Sequence, residues 1–133
     1  MTVPAPASEP ETQMTILIVD DDHPFYHAAA ELLADRGFRV IGHAATAHDA
    51  VVECRRLAPD AILLDVRLPD GHGVTLVDTL RAGPRPPRIV LTSSDPAAVS
   101  PEQLQATGAS GFVPKAELAL RDLQSLLRDE PPD

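Results

Sequence analysis

Five short apolar runs recur along the chain: "TILIVD" (15–20), "FRVIGHA" (38–44), "AILLDV" (61–66), "RIVLTS" (88–93) and "GFVPK" (111–115). Several are unbroken rather than alternating, the mark of strands covered on both faces. Between them lie segments of helical period. They span 23–36 before Gly37, 47–57 before Pro59, 74–82 before Gly83, a weaker stretch near 101–107 before Gly108, and 116–128. Strand and helix alternate five times with no internal repeat. That order predicts an α/β fold: a doubly wound, five-stranded parallel sheet with helices on both faces, joined by right-handed crossovers. Residues 1–13, with Pro4, Pro6 and Pro10, have little to bury, as do residues 129–133, so both are expected to be disordered tails around a folded unit at 14–128.

Composition narrows the partners. A chain of 133 residues with 44% hydrophobic content fits one domain with one ordinary core. Its 11 Lys and Arg stand against 20 Asp and Glu, a formal charge of −9. Such a surface repels phosphate backbones and anionic lipid heads, so neither nucleic acid nor a membrane is expected as a partner of this chain alone. A single cysteine, Cys54, forms no internal disulfide, no apolar run approaches a membrane span, and the N-terminus lacks a basic region followed by an apolar one. The expected location is the cytoplasm.

In doubly wound sheets, sites form beyond the carboxyl ends of the strands. The residues there are Asp20, Asp21 and Asp22 after the first strand, Asp65 at the third, Thr92 and Ser93 at the fourth, and Lys115 at the fifth. Each intervening stretch has room for one strand, one helix and two short loops, so these four strand ends can converge. Two carboxylates about 4 Å apart repel by roughly 4 kcal/mol at an effective dielectric near 20. A hard divalent cation offsets that most directly, and Mg²⁺ binds through one or two carboxylates while keeping room for a phosphoryl oxygen. A carboxylate, a metal cradle, a hydroxyl and an ammonium group together are the parts that phosphoryl transfer to an aspartate requires.

Four segments, "ILIVDD", "AILLDVRLPDGHG", "RIVLTSSD" and "GASGFVPK", resemble in order and spacing the signatures of the receiver domain of two-component response regulators. The resemblance covers nearly all of 14–128 and implies a flavodoxin-like strand order 2-1-3-4-5. It implies that Asp65 is the phosphoacceptor, Asp20 and Asp21 the acidic pair, Thr92 the switch hydroxyl, Phe112 the switch aromatic and Lys115 the phosphoryl-binding lysine. The metal, Mg²⁺ or Mn²⁺, would be held by Asp20, Asp21, Asp65 and the backbone carbonyl of Arg67. A histidine kinase or phosphotransfer protein would supply the phosphoryl group, and an output partner or a second copy would read it. Counting to "ELL" (31–33) selects Asp20 and Asp21 as the pair and leaves Asp22, beside Pro24, as a helix-start residue.

Several positions depart from the common pattern. Ala116 stands where many receivers have proline, and "FVPKAEL" is similar to the branch whose receivers precede a helix-turn-helix domain. The chain, ending at Asp133, resembles a stand-alone receiver or the receiver half of a longer regulator. Arg67 sits where the family tunes dephosphorylation. Pro96 and Pro101 predict a fourth helix that starts late, capped by Ser100, and is short or mobile.

Blander readings apply to other residues. His23 and His27 have the i, i+4 spacing of a zinc pair without the glutamate of a metalloprotease helix, and read as surface histidines. Cys54 falls in step with Ala50, Val51 and Leu57 and reads as a core residue. Two alternative functions stand beside the signalling one. A haloacid-dehalogenase-type phosphatase uses a similar site but needs a second aspartate two positions past the nucleophile, where this chain has Arg67. A receiver-like interaction module would work without phosphorylation.

Overall fold

The structure, a computed structural model, describes residues 13–128. The expected tails at 1–13 and 129–133 lie outside the described residues, Gln13 excepted. Elements follow in the order β1 (Thr15–Val19), α1 (His23–Asp35), β2 (Arg39–Ala44), α2 (Ala47–Leu57), β3 (Ala61–Asp65), β4 (Arg67–Leu68), β5 (Gly71–His72), α3 (Gly73–Arg81), β6 (Arg88–Ser93), α4 (Pro101–Ala106), β7 (Gly111–Pro114), a 3₁₀ helix (Lys115–Leu120) and α5 (Leu123–Arg128).

The main sheet is parallel throughout, in the order β2-β1-β3-β6-β7. Counting only its five strands, this is the expected 2-1-3-4-5. Alternate side chains supply two cores. Leu17, Val19, Ile62, Leu64, Ile89 and Leu91 meet α2 and α3 through Ala50, Val77 and Leu80. Ile16, Ile18, Ala61, Leu63, Val90 and Val113 meet α1 and the C-terminal helices through Leu33, Leu118, Leu123 and Leu127. Both faces being covered explains the unbroken apolar runs.

Local chemistry sets the helix starts. Asp22 Oδ1 accepts from the Phe25 amide at 3.2 Å, with Pro24 in the first turn of α1. Thr46 caps α2 through the Asp49 amide at 3.0 Å. Ser100 and Gln103 cap each other's backbone at the start of α4, with Pro101 following. That helix is late and short, as its prolines predict.

Two expectations need correction. The segment 116–128 is not one helix: Arg121 is extended (φ −94°, ψ 155°) and separates the 3₁₀ turn from α5. Leu118 and Leu123 are both buried against the sheet. On a continuous α-helix they would point about 140° apart, so the break resets the phase and lets both face inward. Asp122 Oδ1 then accepts from the Ser125 amide at 3.2 Å, while Leu120 is left 81% exposed. The second correction is an addition. Residues 67–72 form a small antiparallel hairpin, pairing Arg67 with His72 and Leu68 with Gly71, whose two-residue strands are too short to show alternation.

Candidate functional site

The sheet register lines up the site. Asp65, Thr92 and Val113 occupy one row across β3, β6 and β7. On the other side of β3, Val19 pairs with Leu64, so Asp20 extends β1 beside Asp65. One carboxylate oxygen from each of Asp20, Asp21 and Asp65 lies within 4.8 Å of the others. Asp20 is fully buried, Asp65 is 6% exposed and Asp21 is open to solvent.

Asp20 Oδ1 accepts from the Asp22 amide at 2.8 Å, but Asp20 Oδ2 is buried with no hydrogen-bond partner. Lys115 Nζ, 2.9 Å from that oxygen, faces it as a charge. The same ammonium lies 3.7 Å from Asp65 Oδ2 and 4.4 Å from the centre of the Phe25 ring, in reach of a cation–π attraction. Asp65 Oδ1 accepts from the Arg67 amide at 3.2 Å.

These contacts shift two pKa values. Burial, then the Asp20 carboxylate, and more weakly Asp21, push Asp65 up to about 6, against the pull of the Arg67 amide and Lys115. Burial at Lys115 opposes its charged form, but the carboxylates of Asp20, Asp65 and Asp22 outweigh it and hold the ammonium above the ordinary lysine value.

Thr92 is buried, and its hydroxyl donates to the Val113 carbonyl at 2.7 Å. Phe112, next to Val113, is half-buried against the α2/α3-side core. Arg67 turns its exposed side chain toward Asp95, 3.6 Å away. The structure therefore brings Asp20, Asp21, Asp65, Thr92 and Lys115 to one end of the sheet, with Arg67 joined through its amide. His23 and His27 are exposed, and Cys54 packs against the core beside Ala50, Val51 and Leu57.

Four supporting residues escape a reading of strand ends alone. Phe25 underlies Lys115. His43 Nε2 lies 2.8 Å from the Asp20 carbonyl, which requires the proton on that nitrogen, and its ring stacks on Tyr26 at 3.9 Å. Asp70, at the hairpin turn, accepts from the Ala47 and His48 amides at 2.6 and 3.0 Å, tying the start of α2 to the hairpin that carries Arg67. Gly73 sits so close to the phosphoacceptor strand that a Cβ would lie 2.5 Å from the Asp65 carbonyl oxygen. The Leu-Pro-Asp-Gly turn signal was available for Asp70; aromatic stacking across segments left no local signal for Phe25 or His43.

Among known proteins, a family model described as the response regulator receiver domain matches residues 16–128. A Pseudomonas aeruginosa protein named for transcriptional regulation is 36% identical over 106 residues, covering 78% of this chain and 51% of that one. A protein-glutamate methylesterase/protein-glutamine glutaminase of Archaeoglobus fulgidus is 32% identical over 118 residues, 87% of this chain and 34% of its own length. The chain thus spans about half, or about a third, of these relatives. A CheY-like receiver domain from Methylobacillus flagellatus superposes with TM-score 0.75 at 26% identity, covering 86% of this chain and 98% of that one. A two-component response regulator of the LuxR family from Aurantimonas sp. does so with TM-score 0.75 at 27% identity, covering 86% and 82%. Among the described residues, no helix is long and apolar enough to cross a membrane.

Proposed function

This chain belongs to the response regulator receiver domain family, and on that premise we propose that Asp65 takes a phosphoryl group from a phosphohistidine on a histidine kinase or phosphotransfer protein. The aspartyl phosphate then switches the fold to signal. The observation that carries this reading is the position of Asp65: nearly buried, beside Asp20 and Asp21, with Lys115 Nζ 3.7 Å from its Oδ2.

An Asp65 oxygen attacks phosphorus in line, the P–N bond breaks, and its electron pair leaves on the imidazole nitrogen. With a pKa of about 6, the carboxylate is ionised roughly ten to one at pH 7. Lys115, already between Asp20 and Asp65, pairs with the transferred oxygens. The donor set fits a hard divalent cation: all ligand atoms are oxygen, and the buried Asp20 Oδ2 lacks a hydrogen bond. Asp20, Asp21, Asp65 and the Arg67 carbonyl would hold Mg²⁺ or Mn²⁺, which when bound supplies positive charge against the developing phosphoryl charge. Water later takes the group to inorganic phosphate and restores the carboxylate. The chain thus acts as a signalling phosphoacceptor, catalysing its own modification.

The switch starts at Thr92. A phosphoryl oxygen on Asp65, its neighbour in the row, competes with the Val113 carbonyl for the Thr92 hydroxyl. Movement of Thr92 opens space beside β6, and Phe112 turns into it. Completing the burial of that ring gains up to about 2 kcal/mol, a shift of up to roughly thirtyfold in a two-state balance. The output face is then α4, β7 and the C-terminal helices, offered to a partner protein or a second copy. Intact-mass analysis with acetyl phosphate and Mg²⁺ tests the reading. One added phosphoryl group, lost in Asp65→Asn, is expected; labelling that survives the substitution would sink it.

A further inference from the structure

At the opposite end of the sheet, we propose a binding site for a small organic anion with an apolar body, of the aryl or medium-chain carboxylate class. A cavity of about 290 Å³ opens between the C-terminal half of α2 and the loop that follows α3. That volume is at the lower limit of ligand pockets, suited to a small ligand. Leu80, Pro59 and Pro87 are buried in its floor, beside the half-buried Val51 and Cys54. Burial holds the Cys54 thiol above its ordinary pKa, so it joins the floor as a neutral group.

The rim is cationic. Arg55 and Arg85 both line the cavity, although the chain as a whole carries −9. Arg55 makes no hydrogen bond or ion pair to the other described residues. Arg85 meets Asp60 at 3.6 Å with its side chain 79% exposed, a contact of little strength in water and easily exchanged. Glu53 is held by Arg56 at 2.6 Å; Asp60 gives its Oδ2 to the Thr15 amide and hydroxyl at 2.9 and 3.1 Å, and its Oδ1 is the atom a ligand carboxylate would replace at Arg85. Two guanidinium side chains on the lining of a largely apolar cavity match a carboxylate on an apolar body.

A small ligand fits better than a protein surface. Among the described residues the exposed large hydrophobic side chains are Val52 and Leu120, and neither lines the cavity. The exposed apolar residues that do line it, Ala58, Ala82 and Pro84, are small and offer little area for a macromolecule to cover. The site also stands apart from Asp65. The N-terminal end of α2 meets Asp70 of the hairpin, and the cavity adjoins its other end, about 16 Å away along the 11-residue helix. The proposal therefore does not rest on the phosphoryl reading.

The test uses the full chain with phenylacetate and octanoate as probes and phenylacetamide as the uncharged control. Saturable amide NMR shifts confined to 51–60 and 79–88 are expected. Cys54, the chain's single thiol, should react with a thiol reagent at least about fivefold more slowly at saturation, and phenylacetamide should bind about tenfold more weakly than phenylacetate. Arg55→Gln and Arg85→Gln should each weaken phenylacetate severalfold while leaving Tm unchanged. Absence of saturable shifts up to about 20 mM, where fragments of this size should bind, would overturn the proposal. So would equal binding of the amide, shifts centred on Lys115, or filling of the cavity by a second copy in sedimentation.

Discussion

Within β3 the environment changes over one residue. Ala61, Ile62, Leu63 and Leu64 are buried among apolar neighbours from both cores; Asp65, on the same strand and 6% exposed, is buried beside two other carboxylates. In β1 the same step separates Val19 from Asp20, whose Oδ2 has no hydrogen bond. The strand interiors lower the free energy of the fold by leaving water. The end of β3 raises it, because burial and the neighbouring carboxylates oppose the ionised form of Asp65. Stability and chemistry are thus divided along β3, and substitutions on either side of the boundary should differ in sign as well as size.

The largest effect is expected in the interior. Leu64→Ala removes a fully buried side chain and should cost about 2–5 kcal/mol in urea unfolding; a loss under 1 kcal/mol would mean that the core is loosely packed. Gly73→Ala probes the boundary. Its new Cβ would lie 2.5 Å from the Asp65 carbonyl oxygen and 2.9 Å from Val66 Cα, backbone atoms that yield only at a cost, so destabilisation of roughly 1–3 kcal/mol is expected. Mg²⁺ should then raise Tm less than in the parent, and an unchanged Mg²⁺ response would show that the strand end tolerates displacement.

Beyond the boundary the sign reverses. In the folded chain Asp65 titrates near 6, against 3.8 for an ordinary aspartate. Between those values the folded state keeps a proton that the unfolded chain has released, so stability falls as pH rises through this window and the penalty is complete above about 6. Asp65→Asn should therefore stabilise the metal-free protein at pH 7 by on the order of 1–2 kcal/mol, after allowance for water at the pocket mouth, and flatten the loss between pH 4 and 6. Urea titrations at pH 4.5 and 7 measure both; equal destabilisation by Asn at the two values would place the strain elsewhere.

The smallest effect on stability is expected at Thr92. Thr92→Ala loses one hydrogen bond to Val113, worth about 1 kcal/mol. It should still accept a phosphoryl group, yet show little change in amide exchange across 92–115 on adding beryllofluoride, a phosphoryl mimic. Full protection changes in the variant would move the switch away from this hydroxyl.

Much of the fold was legible locally. The apolar runs place the five sheet strands within a residue at each end, because two-sided burial needs uninterrupted hydrophobes over the length of a strand. Ser100 with Pro101, and Asp22 with Pro24, mark helix starts through bonds made within one turn. The failures are of another kind. The break at Arg121 depends on Leu118 and Leu123 reaching the same core, and nothing near 121 announces it. The 67–72 hairpin is too short for periodicity and is held by Asp70 to the start of α2, 22 and 23 residues away in sequence.

By itself the sequence determined the alternation of strands and helices and the acidic, hydroxyl and ammonium groups that stand at the strand ends, since both follow from apolar run length and nearby turn residues. Only the tertiary structure decided that Asp20 Oδ2 would lack a hydrogen bond, that Lys115 would lie between two carboxylates and over Phe25, that Asp65 would titrate near 6, and that the Thr92 hydroxyl would be held by Val113. Desolvation and Coulomb energy depend on which atoms from distant segments come within a few ångströms, and that proximity exists only once the chain has folded.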